Sequence, residues 1–160
     1  MAVRTVALAV ATLALGLVAP AAASADPVLP QPGMPCASDL SGAMTWRPDA
    51  DTPLECVGNQ WQAVNTPQPP NDRWLSFGPT MTLHGQGMRN PDVAPGAWTA
   101  IPQDAGSQCR AVQQAVVSAG EVGAPQVSES PAGQPLSFQL LPQLFSIEMS
   151  GHCLWTRTGS

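Results

Sequence analysis

Four cysteines constrain this chain more than any other feature. Cys36, Cys56, Cys109 and Cys153 form an even set with no close C-x-x-C pair, and they follow an N-terminus built for export. Disulfides are therefore expected rather than metal knuckles or redox pairs. Four cysteines allow three connectivities. A Pro-rich gap between the second and third favours 36–56 with 109–153. By loop-closure entropy, bridges of those lengths contribute about 3 and about 4 kcal/mol, a large share of the stability of a small domain. Only His84 and His152 are further ligand candidates, and no finger-like spacing joins them to the cysteines, so zinc is not expected.

The export signal has three parts. Arg4 supplies the positive charge, and Val6 to Ala19 reads VALAVATLALGLVA, too short to span a bilayer comfortably. Pro20 breaks the run. Ala23-Ser24-Ala25 offers small residues for cleavage between Ala25 and Asp26. No cysteine follows the cut directly, so a lipid anchor is not expected, and no later apolar run is long enough for a stable membrane span. The expected location is secreted or extracytoplasmic, in a cell-wall or periplasm-like space.

Once the signal is cut, residues 26–160 suffice for one main core. They hold five Arg, no Lys and eleven acidic residues, a formal charge of −6. Five scattered Arg cannot readily make the positive patch that phosphate backbones need, so nucleic acid is excluded as a partner. Removing Pro20 and Gly16 with the signal leaves seventeen Pro and thirteen Gly, while five Trp argue for a compact, cross-linked object.

The chain then reads in segments. Residues 26–35 are a Pro-rich lead-in. Residues 36–61 form a cystine hairpin module, with strands at Ala43–Trp46 and Leu54–Val57 around the turn RPDADTP. Residues 62–80 are a Pro-rich linker. A main β domain follows at 81–160, with strands at Ala97–Ile101, Arg110–Val117, Leu136–Leu140, Leu144–Met149 and Cys153–Thr156. The third and fourth of these flank Pro142 as a candidate hairpin. Cys109–Ala119 reads equally as strand or helix, since Val112, Ala115, Val116 and Ala119 share a helical face. The expected fold is mainly β, a small sandwich or barrel-like domain with an N-terminal disulfide-closed hairpin and at most one helix.

Ala94-Pro95-Gly96-Ala97-Trp98, Cys109, Leu136–Leu140 and Gly151-His152-Cys153-Leu154-Trp155 together form a pattern. Over about residues 87–158 it resembles small secreted proteins and lipoproteins of actinobacteria, especially mycobacteria. Trp98 stands where that group usually has Tyr, Arg110 and Ala111 replace a Tyr-Trp pair, and His152 is an extra residue. The resemblance implies a bridge between Cys109 and Cys153, an exported β fold and an envelope location, and it transfers no catalytic residue. The Cys36–Trp61 segment is similar to another short cysteine hairpin of such proteins, and Ala25-Asp26-Pro27 to many mycobacterial export sites.

Several constellations invite chemistry. Asp49, Asp51 and Glu55 hint at a calcium loop, but the bending Gly and several ligands are missing, and a solvated acidic turn is the simpler account. A Ser with His84 or His152 and an Asp would make a hydrolase, yet no nucleophile elbow is present and His84-Gly85-Gln86-Gly87 lacks the Lys of a phosphate loop. Trp46, Trp61 and Trp155 lie near cysteines, where they would cover disulfides. That leaves Trp74 and Trp98 as the expected ligand-contact aromatics. Thr66 in the linker is a candidate for O-linked sugar. No residue is assigned as catalytic, cofactor-binding or metal-ligating. The expected function is therefore a non-enzymatic secreted or envelope-associated protein that binds an envelope component or an extracellular protein. The alternatives are a small secreted hydrolase, or a protease inhibitor using the 47–55 turn.

Overall fold

The computed structural model describes residues 27–65 and 69–159. The export signal, its cleavage site and Thr66 lie outside the described residues. Ten strands are formed: β1 (Met44–Thr45), β2 (Leu54–Val57), β3 (Gln60–Ala63), β4 (Arg73–His84), β5 (Ala97–Pro102), β6 (Arg110–Ser118), β7 (Glu121–Val122), β8 (Gln126–Glu129), β9 (Leu136–Gln139) and β10 (Leu144–Gly159). The one helical element among the described residues is a single 3-10 turn at Ser38–Leu40. The fold is mainly β, built on a mixed sheet.

β10 is the spine. One edge pairs antiparallel with β4, from Ser146 opposite His84 to Thr156 opposite Arg73. The other edge is divided: Leu144–Ser150 pairs with β6 and Cys153–Gly159 with β5. The sheet order β3-β2-β1-β4-β10-β5-β9 therefore carries a side branch, in which β6 pairs with β10, β7 and β8. Gly151 sits at the division, with φ 91° and a register shift against β4. Bulges bend strands and redirect their pairing, which is what a strand serving two partners on one edge requires.

The two branches close over a core of Trp74, Trp98, Trp155, Leu83, Leu144, Ile147 and Met149. The buried Gln113 of β6 clasps the other branch: its amide donates to the Gln139 carbonyl (3.2 Å) and its oxygen accepts from Leu141 N–H (3.0 Å). A second cluster lies under the hairpin, where Leu75 and Leu154 pack with Ala43, Leu54, Trp61 and the Cys36–Cys56 bridge. The Cys109–Cys153 bridge belongs to the first cluster. Both disulfides have the favoured sequential pairing, with sequence separations of 20 and 44.

Several expectations need correction. The stretch expected as a linker over 62–80 contains the end of β3 and the first eight residues of β4. Trp74, Leu75 and Ser76 are all buried, because β4 is covered on both faces and loses the alternation that marks a strand. The hairpin is thus continuous with the main sheet, since β1 pairs parallel with β4 through Met44 and Trp74. The lead-in also docks: Gly33 N–H donates to the Trp61 carbonyl and Trp61 N–H to Met34. Leu136–Leu140 and Leu144–Met149 do not pair with each other. β9 pairs with β5, and Leu140 N–H bonds the Gly96 carbonyl instead of starting a hairpin. Residues 144–159 form one strand rather than two. Cys109–Ala119 is strand, not helix, because β10 and β8 use both edges of β6, and tertiary pairing overrides the propensity of Ala and Gln.

Candidate functional site

Three connections of the fold and the residue after β1 meet in one cleft of about 570 Å³. Trp46, directly after β1, forms an apolar wall; its indole N–H donates to the Ala50 carbonyl (2.9 Å), which curls the RPDADTP turn around the ring. Thr52 and Pro53 of that turn reach the rim. Val64, Asn65 and Pro70 come from the connection between β3 and β4, and Arg89, Asn90, Pro91 and Asp92 from the loop between β4 and β5.

The last loop is held at its base. Asp92 Oδ2 accepts from the His84 backbone N–H (2.8 Å) and meets His84 Nδ1 at 3.1 Å, while Asp92 N–H donates to the His84 carbonyl (2.8 Å). Asn71 N–H takes the Asp92 carbonyl (2.8 Å), Gln86 donates to the Val93 carbonyl (2.6 Å), and Val93 is fully buried. Arg89 and Asn90 project from this fixed base and are exposed.

A second polar cluster lies beside the Cys109–Cys153 bridge. Asp104 Oδ2 accepts from Ser107 Oγ (2.7 Å) and contacts His152 Nδ1 (3.1 Å), and Oδ1 accepts from Gly106 N–H (3.0 Å). The Ser107 hydroxyl, aided by His152 and the Gly106 and Ser107 N–H groups against a smaller opposing effect of burial, holds the Asp104 carboxyl below its ordinary range. His152 stacks on Phe77 with ring centroids 5.4 Å apart. Each histidine therefore has a carboxylate partner. Neither is bonded by a Ser hydroxyl among the described residues: in the Asp104 cluster the order is Ser–Asp–His, with the hydroxyl spent on the carboxylate. An activated nucleophile needs Ser–His–Asp. Ser150 Oγ turns to the Arg110 carbonyl at 3.5 Å, and no Ser lines the Trp46 cleft.

The aromatic expectations are reversed at three positions. Trp74 and Trp98, expected as ligand contacts, are 0 % exposed. Trp74 faces Trp155 across the β4–β10 pair, and Trp98 enters the same core with its N–H on the Ala94 carbonyl (3.0 Å). Trp46, expected over a disulfide, packs at the margin of the main core instead and is the one indole among the described residues left partly open. Trp61 and Trp155 do lie in clusters with cysteines. Arg89 and Asn90 carried no sequence signal beyond standing in a turn-rich connection. Asp49 and Asp51 are exposed on their turn, and among the described residues no three His, Cys, Asp or Glu side chains group as metal ligands.

No protein family, no curated protein and no solved structure matches this chain. Two disulfides suit an oxidising, extracytoplasmic setting. No helix among the described residues is long and apolar enough to cross a membrane.

Proposed function

We propose that this chain is exported, cut between Ala25 and Asp26, and acts in the cell envelope as a binding protein that engages an envelope component through the Trp46 cleft. The observation that carries the reading is the cleft, which the partly open Trp46 lines together with Asn65, Arg89, Asn90 and Asp92. Ligand sites combine an apolar wall with a few placed polar groups in this way. The actinobacterial pattern around Cys109 and Cys153 supports the envelope setting, as do the disulfides.

The test has two arms. Material recovered from the envelope or medium of an actinobacterial host should begin at Asp26 on N-terminal sequencing. The purified mature chain should sediment saturably with isolated cell wall, and an Arg89→Ala, Asn90→Ala double variant should lose that binding while melting at the same temperature. An uncleaved cytoplasmic product, or wall binding that the double variant leaves intact, overturns the proposal.

A further inference from the structure

We infer that the Trp46 cleft takes an acidic saccharide, with a sugar ring on the indole face and a ring carboxylate on Arg89; this rests on the binding role proposed above. The inference starts from arginine partners. Arg47 donates to Gln31 Oε1 (2.6 Å), Arg73 to the Ser41 and Asp39 carbonyls (2.7 Å each), and Arg157 to the Pro95 carbonyl (2.6 Å), while Arg110 lies 3.5 Å from Glu129. Arg89 alone of the five has neither a hydrogen bond nor an ion pair among the described residues. It stands in the cleft of a chain with formal charge −6 after cleavage. A guanidinium presents a planar fork of donors that matches a carboxylate.

The rest of the lining separates a sugar from other carboxylates. The Trp46 N–H is consumed by Ala50, so the ring offers a face and not a donor. Such a face suits the C–H side of a pyranose. Asp92 Oδ2 is taken up by the His84 backbone N–H and by the contact with His84 Nδ1, which leaves Oδ1 to accept from a hydroxyl. Asn65, Asn90 and Thr52 add groups that both donate and accept. Neighbouring hydroxyls on a sugar ring, each both donor and acceptor, use such a mixture fully, whereas a peptide must meet it with N–H and C=O groups that each do only one of the two.

The mature, oxidised chain is titrated by calorimetry and tryptophan fluorescence with a tetrasaccharide containing glucuronic acid, with its carboxyl-reduced form, and with a proline-rich tetrapeptide bearing a free C-terminal carboxylate. The acidic saccharide should bind and change the tryptophan emission, because Trp46 is the indole left partly open among the described residues. Carboxyl reduction should weaken it about tenfold or more. Arg89→Gln should cause the same loss and abolish the difference between the two saccharides, whereas Arg110→Gln, on β6, should change nothing. Equal melting temperatures verify that both variants fold. Equal affinity for the two saccharides, a tighter complex with the peptide, or an Arg89→Gln variant that still prefers the acidic form overturns the inference. So does wall binding that depends on Arg89 and Asn90 when neither saccharide binds, a result that leaves the envelope-binding role standing. Loss of wall binding itself is the failure of that role.

Discussion

Gly151→Ala isolates the strain that lets β10 serve two partners. At Gly151 φ is 91°, in the region where an L side chain is disfavoured by about 1 kcal/mol. An added Cβ would also fall inside contact distance of the Gln108 carbonyl oxygen, 3.0 Å from its carbon and 3.2 Å from Cys153 Sγ. Gln108 has little room to retreat. It precedes Cys109, which is tied to Cys153 and whose carbonyl accepts from Ser130 N–H (3.1 Å); on its other side the Ser107 carbonyl holds Gly133 N–H (2.8 Å). Forcing backbone to move at such a point adds about 2 kcal/mol. Gly120→Ala is the control, because its φ is 79° and nothing lies within 4 Å of the added carbon. Urea unfolding should place Gly120→Ala about 1 and Gly151→Ala about 3 kcal/mol below the parent. Thermal midpoints should then differ by about 8 °C for a domain of this size. Equal losses for the two variants would refute the steric account and leave only the dihedral cost.

Two further outcomes follow from hydrogen bonds. Because the Asp104 carboxyl titrates below its ordinary range, its stabilising effect is complete above the unfolded value of about 3.9 and fades as pH falls through the lower folded value. The urea midpoint of the parent should exceed that of Asp104→Asn at about pH 6, and the gap should narrow as pH falls below about 4; a gap that does not narrow in that acid limb removes Asp104 from the account. Trp155 Nε1 donates to Ser76 Oγ (2.8 Å), which donates on to the Gly151 carbonyl (2.6 Å), whereas the buried Trp74 Nε1 has no partner among the described residues. Trp155→Phe should therefore destabilise by about 1 kcal/mol more than Trp74→Phe, measured by urea unfolding, and the reverse order would show that ring packing decides both.

The pattern of residues made β5, β9 and both halves of β10 legible, gave no sign of β7 and β8, and misled on how the strands join. Ala97–Ile101 alternates buried and open positions, so periodicity finds β5, whereas Arg110–Val117 alternates only in its first half, which is why its sequence fits strand and helix equally. β4 hides because both faces of its first half are covered, and because its neighbours are the prolines that mark a linker. The turn from β2 to β3 has a sequence signal in Gly58-Asn59: both residues have positive φ, the geometry of a two-residue hairpin, and they separate Val57 from Gln60. The pairing of β9 with β5 rather than β10 was not readable, because Leu140 and Leu141 find their hydrogen-bond partners at Gly96 and Gln113, far along the chain. Trp burial failed for a related reason. Proximity to a cysteine in sequence says which disulfide a ring is near, and nothing about which side of β4 or β5 it faces.

The position of the cleft follows from the parallel pair. β1 can run alongside β4 in the same direction only if the chain leaves β1, turns through the RPDADTP loop and the β2–β3 hairpin, and crosses back to enter β4 near Asn71. That return delivers Asn65 and Pro70 beside Trp46. The loop after β4 is drawn back to the same place, because Asn71 bridges Val93 in parallel and Asp92 is bonded to both Asn71 and His84. Three connections thus converge where the sheet has already spent its backbone hydrogen bonds. Their exposed side chains are free of the register that fixes the strands, and Arg89 and Asn90 carry no part of the core. A cleft assembled this way can change ligand by loop substitution while β4, β10 and both disulfides stay as they are. That independence is why substitutions at Arg89 and Asn90 are the informative ones: they address binding without touching what holds the fold together.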